Sequence, residues 1–168
     1  MGRIGDYDMN NENPPPLRSK NDTHDSPSNI APQNELIDAL NILLEAERAG
    51  TRVAISTGKD VQSDDLKQFL GLLKRDEAHW CDMLTHNIEK LDGIASLHCG
   101  DFYDKAMAID DVLERLTFLN RGQDWVVRKL DDLMPRVVDA DLHADLEKMR
   151  DSHLVNIAET TRIIEAAR

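Results

Sequence analysis

The stretch LIDALNILLEAERAGTRVA, residues 36–54, decides the fold. Projected at about 100° per residue, its apolar positions gather on one face, and Leu36, Leu40, Leu43, Glu47, Thr51 and Ala54 form an inward row. Glu47 lies near the middle of that row, whereas Glu45 points to solvent. A helix is expected from about Gln33 to Thr57, with Asn34 as its N-cap and Gly58 beyond its end.

Three further segments carry the same period. Residues 66–91, LKQFLGLLKRDEAHWCDMLTHNIEKL, place Leu66, Leu70, Leu73, Glu77, Trp80, Leu84, Ile88 and Leu91 in a row, and His79 and His86 project the other way. Ser63 followed by two aspartates starts this helix, and Asp92-Gly93 closes it. A third helix is expected from about Asp101 to Met134, where Pro135 marks a break. Its row is Ile109, Val112, Leu116, Gln123, Val127, Leu130 and Met134, with Asn120 at the edge and Glu114 outward. A fourth, from about Asp139 to Ala167, gives Leu142, Leu146, Met149, His153, Ile157 and Ile164, with Arg150 and Asn156 on its flanks.

No segment alternates apolar and polar residues as a strand would, so the class is all-α. Four helices, each on the order of 40 Å long, make a four-helix bundle over residues 33–168. The connection over residues 92–100 can turn tightly or run along the bundle, which leaves the topology open. Residues 1–32 hold five of the six prolines and five asparagines with scattered apolar residues, which predicts a disordered arm.

Each row is apolar except near its centre, and the four central residues are related by number. Glu47 and Gln123 differ by 76, as do Glu77 and His153, and Leu40/Leu116, Leu70/Leu146 and Ile88/Ile164 obey the same shift. A duplicated helix pair with one polar layer across its middle follows. Burying two carboxylates together is costly unless protons, cations or a metal neutralise them. Carboxylate and neutral imidazole suit iron, manganese or zinc, and Gln123 can hold a bound water. In the competing reading Arg150 reaches Glu47 or Glu77 and a buried ion network stands in for the metal.

Charge and composition narrow the partners. With 20 Lys and Arg against 32 Asp and Glu, a net charge of -12 repels phosphate backbones and anionic lipid heads, so neither nucleic acid nor a membrane is an expected partner. Cys81 and Cys99 match no metal or redox spacing, and the start lacks the basic and apolar regions of an export signal, so the cytoplasm is the expected compartment. The outer strip Ile42, Ala46, Ala49 and Val53 on the first helix, with Phe118 and Trp125 exposed on the third, should meet either the crossover segment or another subunit. A homodimer is expected.

The segments LLEAERAG, RDEAHWCDML, LNRGQDWVVRKL and RDSHLVNI resemble the ferritin-like superfamily, in particular a bacterial branch of uncharacterised function with an incomplete di-metal ligand set. That superfamily carries Glu on the first helix, Glu-x-x-His on the second, Glu on the third and Glu-x-x-His on the fourth. Carried over by position, the resemblance assigns Glu47, Glu77 and His153 as metal ligands. Trp80 stands where the second helix should have histidine, Gln123 replaces the third helix's glutamate and Arg150 the fourth's. Asp76-x-x-His79 has the right spacing, but His79 lies away from the seam. The resemblance thus implies a mononuclear or degenerate site of Glu47, Glu77, His153 and Gln123, holding iron or manganese ahead of zinc, in metal or oxidant handling. The alternative is a non-catalytic helical scaffold or adaptor that binds no metal.

Overall fold

The computed structural model describes residues 29–167, so most of the expected arm lies outside the described residues. Within them the chain forms α1 (Gln33–Asp60), α2 (Asp64–Lys90), the short α3 (Phe102–Met107), α4 (Val112–Leu133), a single 3₁₀ turn (Met134–Arg136) and α5 (Ala140–Ala166), and no strand occurs. No described helix is long and apolar enough to cross a membrane.

Contacts at the helix ends fix the topology. Gln33 donates to the Leu91 carbonyl, which sets the end of α2 beside the start of α1. From there the chain runs back along α1. Asn41 bonds the backbone of Ile94 and Ser96, Arg48 donates to the Ser96 carbonyl, and Ser56 meets the Tyr103 hydroxyl at 3.1 Å. Arg115, in the first turn of α4, reaches Asp60 at the end of α1, and Arg136, beyond the far end of α4, pairs with Glu35. Hence α4 runs antiparallel to α1, and the long crossover joins two antiparallel hairpins, α1–α2 and α4–α5. The connection that the sequence left open stretches along the bundle.

Side-chain caps start three of the helices: Ser63 accepts from the Leu66 amide, Asp111 from Glu114 and Asp139 from Leu142. At α1 the expectation was wrong. Pro32 occupies the cap position without a side-chain bond, Asn34 lies inside the helix, and Gly58 does too because α1 continues to Asp60. Proline needs no amide partner at a helix start, which removes the need for a polar cap.

The third helix differs more. Instead of one rod from Asp101 to Met134, it is broken between α3 and α4 at residues 108–111. The Asp111 carboxylate caps the new start, and the Arg115 guanidinium takes the Ile109 carbonyl at 2.8 and 3.0 Å, so the broken backbone keeps its partners. The break lets α3 lie across α1. Val53 and Ala49 are buried at 0% and 1% exposure, so this part of the outer strip meets the crossover, the first of the two covers expected for it, although Ile42 stays half exposed. Phe118 is not free either; it stacks on Phe102 at 4.8 Å, and Trp125 is half-buried under Lys129.

The core falls into two apolar clusters. One gathers Leu40, Leu43, Leu84, Leu130, Leu146 and Met149 toward the start of α1; the other gathers Val53, Leu70, Leu73, Leu116, Leu119 and Ile164 toward its end. Glu47, Glu77, Gln123 and His153 lie between them, one on each of α1, α2, α4 and α5.

Arg115 is the buried cation that sequence reading missed, since one arginine among apolar neighbours reads as an edge residue. It is 4% exposed and ties Thr57, Asp60 and the Ile109 carbonyl together at the α1–α4 end. Arg115→Ala should cost about 1–3 kcal/mol by leaving buried acceptors unpaired, whereas Arg128→Ala on the surface should cost little; urea unfolding of both variants checks this.

Candidate metal centre

Each of the four long helices, α1, α2, α4 and α5, contributes one residue to the central layer because the apolar period brings one inward position to mid-length on each rod. The layer is buried: Glu47 and Glu77 are each 1% exposed, Gln123 4% and His153 0%. Two bonds cross it along the diagonals. His153 Nε2 stands 3.1 Å from Glu47 Oε1, joining α5 to α1, and Gln123 Nε2 donates to Glu77 Oε1, joining α4 to α2. Adding 76 to Glu47 and subtracting 76 from His153 turns one pair into the other, so the two bonds are the same contact repeated across the pseudo-two-fold of the duplicated hairpins.

Proton positions follow from the partners. His153 Nδ1 faces the Met149 carbonyl at 2.9 Å, an acceptor only, so Nδ1 carries a hydrogen and Nε2 is the nitrogen left for Glu47. One proton is shared between Nε2 and Glu47 Oε1. Burial alone lowers the His153 imidazole, but the charge and hydrogen bond of Glu47 outweigh it and hold it above its ordinary 6.5. Burial raises the Glu77 carboxyl well above 4.5, helped by the charge of Glu47 and opposed by the Gln123 bond. Cys81, on the next turn of α2, is pushed up to about 12, first by burial and then by the two glutamates, so it is a thiol at neutral pH and a poor ligand.

Two oxygens of the layer, Glu47 Oε2 and Gln123 Oε1, are buried without a hydrogen-bond partner. Trp80 Nε1 is unpartnered as well; its ring is 6% exposed, packs into the first apolar cluster and meets the His79 ring edge-on. Arg150 does not reach the carboxylates. It pairs with Asp131, Glu147 and Asp151 at the surface, so the ion network expected from it is not formed. The reason is local: three acidic neighbours near the surface satisfy the guanidinium without the desolvation that the core would impose. Asp76 and His79 do not come together. His79 is exposed, and Asp76 accepts from Ser152 at 2.7 Å and Asn156 at 2.6 Å, a tie between α2 and α5 that sequence reading missed although Asp76 and Ser152 also differ by 76.

A cavity of about 560 Å³ runs from the surface to this layer. Phe102, Phe118 and Trp125 wall it, Arg121 and Arg128 stand in its rim, and Glu47, Glu77 and Gln123 are among its lining residues. Gly50 also lines it, and its lack of a side chain is required. A Cβ there would overlap both oxygens of the Glu77 carboxylate. Among the described residues no group of three or more His, Cys, Asp or Glu side chains is set to hold a metal ion, since the layer's donors are engaged in pairs.

This architecture defines a ferritin-like helical bundle. The chain belongs to the family described as Domain of unknown function (DUF6306), whose profile matches residues 34–162. The crystal structure of ferritin like, diiron-carboxylate proteins from Bacillus anthracis str. Ames is similar to it with a TM-score of 0.70 and 19% identity, over 79% of this chain and 96% of that one. At that identity the likeness speaks for the fold. No curated protein matches the chain.

Glycine in a helix interior costs about 1 kcal/mol relative to alanine, so Gly50 has a packing reason to be there. Gly50→Ala should destabilise the bundle despite the better helix former, and Glu77→Ala added to it should recover part of the loss. Thermal unfolding of the two single variants and the double variant measures this coupling. A second expectation concerns pH. A carboxyl raised in the folded state binds protons there that the unfolded chain has released, so its contribution to stability falls as pH rises above 4.5. Chelator-treated Glu77→Gln should match the parent near the acid end of this window and become the more stable of the two as pH rises, as read by unfolding at a series of pH values.

Proposed function

We propose that this chain is a ferritin-like metal-binding protein whose bundle centre takes one divalent cation through Glu47, Glu77 and His153, with Gln123 beside them. The observation that carries this reading is the buried, unpartnered Oε2 of Glu47 next to a histidine whose Nδ1–H is committed to the Met149 carbonyl. Metal-ligating histidines commonly give their other N–H to a backbone carbonyl, which fixes the ring and presents the remaining nitrogen. Carboxylate and imidazole donors suit iron or manganese, and zinc after them.

The residues fit one ion and not two. Trp80 fills the place of a second histidine, Gln123 is a neutral donor, and Arg150 faces Asp131. Bound in this layer, iron or manganese would supply Lewis-acid or redox chemistry beside the cavity. The chain's own part is to hold and release protons. His153 and Glu47 share one, and Glu77 retains its own more tightly than an exposed carboxyl, so ligation requires both sites to give protons up. Gln123 keeps Glu77 oriented, and Gly50 leaves room for its carboxylate against α1. A cytoplasmic setting suits the free thiols of Cys81 and Cys99. A homodimer stays within the proposal, without the support of Val53, which the chain covers itself.

The pairwise bonding of all four central residues favours a second reading, a metal-free scaffold whose polar layer fixes helix register. Metal analysis separates the two. Protein made without a His-tag or chelator should carry close to one iron or manganese per chain, lose it in Glu47→Ala/His153→Ala, and release protons when metal is returned to the stripped parent. Metal-free protein that neither takes up manganese nor releases protons would leave the scaffold reading.

A further inference from the structure

The cavity over the polar layer joins two kinds of surface. Its walls and its floor ask for opposite chemistry. Three aromatic rings, Phe102, Phe118 and Trp125, make the sides apolar, and the Phe102–Phe118 stack holds two of them in place. Gly122 permits this wall, because a Cβ there would stand 2.6 Å from the Phe102 ring. At the inner end stand Glu47 and Gln123, each at least nine-tenths buried and each with one oxygen that has no partner. Both orphaned atoms are acceptors. Whatever satisfies them must donate, and none of the described lysines or arginines is bonded to either.

We propose that this cavity binds a small molecule with an apolar or aromatic body and a protonated primary amine at its buried end. An ammonium offers three donors and no acceptor, which matches a floor of carboxylate and amide oxygens, whereas a hydroxyl offers one donor and a carboxylate none. Its charge suits the free Oε2 of Glu47, and hydrogen bonds between an ionised donor and carboxylate are the stronger kind. The body meets aromatic faces, and a cavity of about 560 Å³ lies in the range of small-molecule sites. Arginines at the rim, Arg121 and Arg128, place positive charge at the mouth, so the floor and not the mouth is where an ammonium finds acceptors.

The test uses the full chain after chelator treatment, with metal content measured on the same sample. Phenethylamine, phenethyl alcohol and phenylacetate share a body and differ in the head group; binding is followed by calorimetry and by tryptophan emission, since Trp125 lines the cavity. Phenethylamine should bind saturably, the alcohol at least about tenfold more weakly, a difference of about 1.4 kcal/mol, and phenylacetate not at all. Ala46→Phe, which fills the cavity from α1, should abolish amine binding while helicity is kept. Equal binding of all three compounds, absence of saturable amine binding, or an unchanged affinity in folded Ala46→Phe overturns the proposal. Should that variant fail to fold, the head-group series on the parent decides alone. Amine binding by metal-free protein supports this inference whatever the metal analysis gives, and metal uptake without amine binding overturns this inference and spares the metal reading.

Discussion

Two carboxylates are buried at the middle of a helical bundle, and most of the structure can be traced to how they are kept there. Among the described residues neither is met by a lysine or arginine. Glu47 is held by His153 across one diagonal and Glu77 by Gln123 across the other, so four helices are tied by two bonds at one level. The apolar core is divided by this layer into two clusters, and helix register on either side is set by it. A slip of one helix would leave a carboxylate against leucines, which is among the most costly errors a core can make.

The layer also imposes requirements on its surroundings. Glu77 needs space at α1, and a glycine in mid-helix provides it at a cost in helix propensity. The His153 ring is turned so that one nitrogen meets the backbone of its own helix. Protons are held more tightly here than in water at both His153 and Glu77. Two oxygens of the layer, left unsatisfied among the described residues, are hydrogen-bond acceptors on residues that line the adjoining cavity.

Opening of that layer to the surface is a product of the crossover. Because the chain must return along α1 to start α4 at the opposite end, α3 and the segment before it cover the outer face of α1. Phe102 from this cover stacks on Phe118 of α4, and the cavity lies beneath them. An arginine from α4 secures the far end of the crossover by gathering Asp60 and the Ile109 carbonyl.

The helical class, the four rows and the polar centre were legible in the sequence because a period of 3.6 residues and a shift of 76 are properties of the chain alone. Glu47, Glu77, Gln123 and His153 could be picked out as one layer on that basis. Their pairing could not, since which residues meet across a diagonal depends on whether α4 runs with or against α1, and a loop of open length leaves this undetermined. The break after α3, the burial of Val53 and the outward turn of Arg150 were likewise decided only in three dimensions. Each depends on partners far away in the chain: Asp60 and Ile109 for Arg115, the crossover for Val53, Asp131 for Arg150. Local periodicity records which face of a helix is apolar, but it carries no information about what the fold will bring to cover that face.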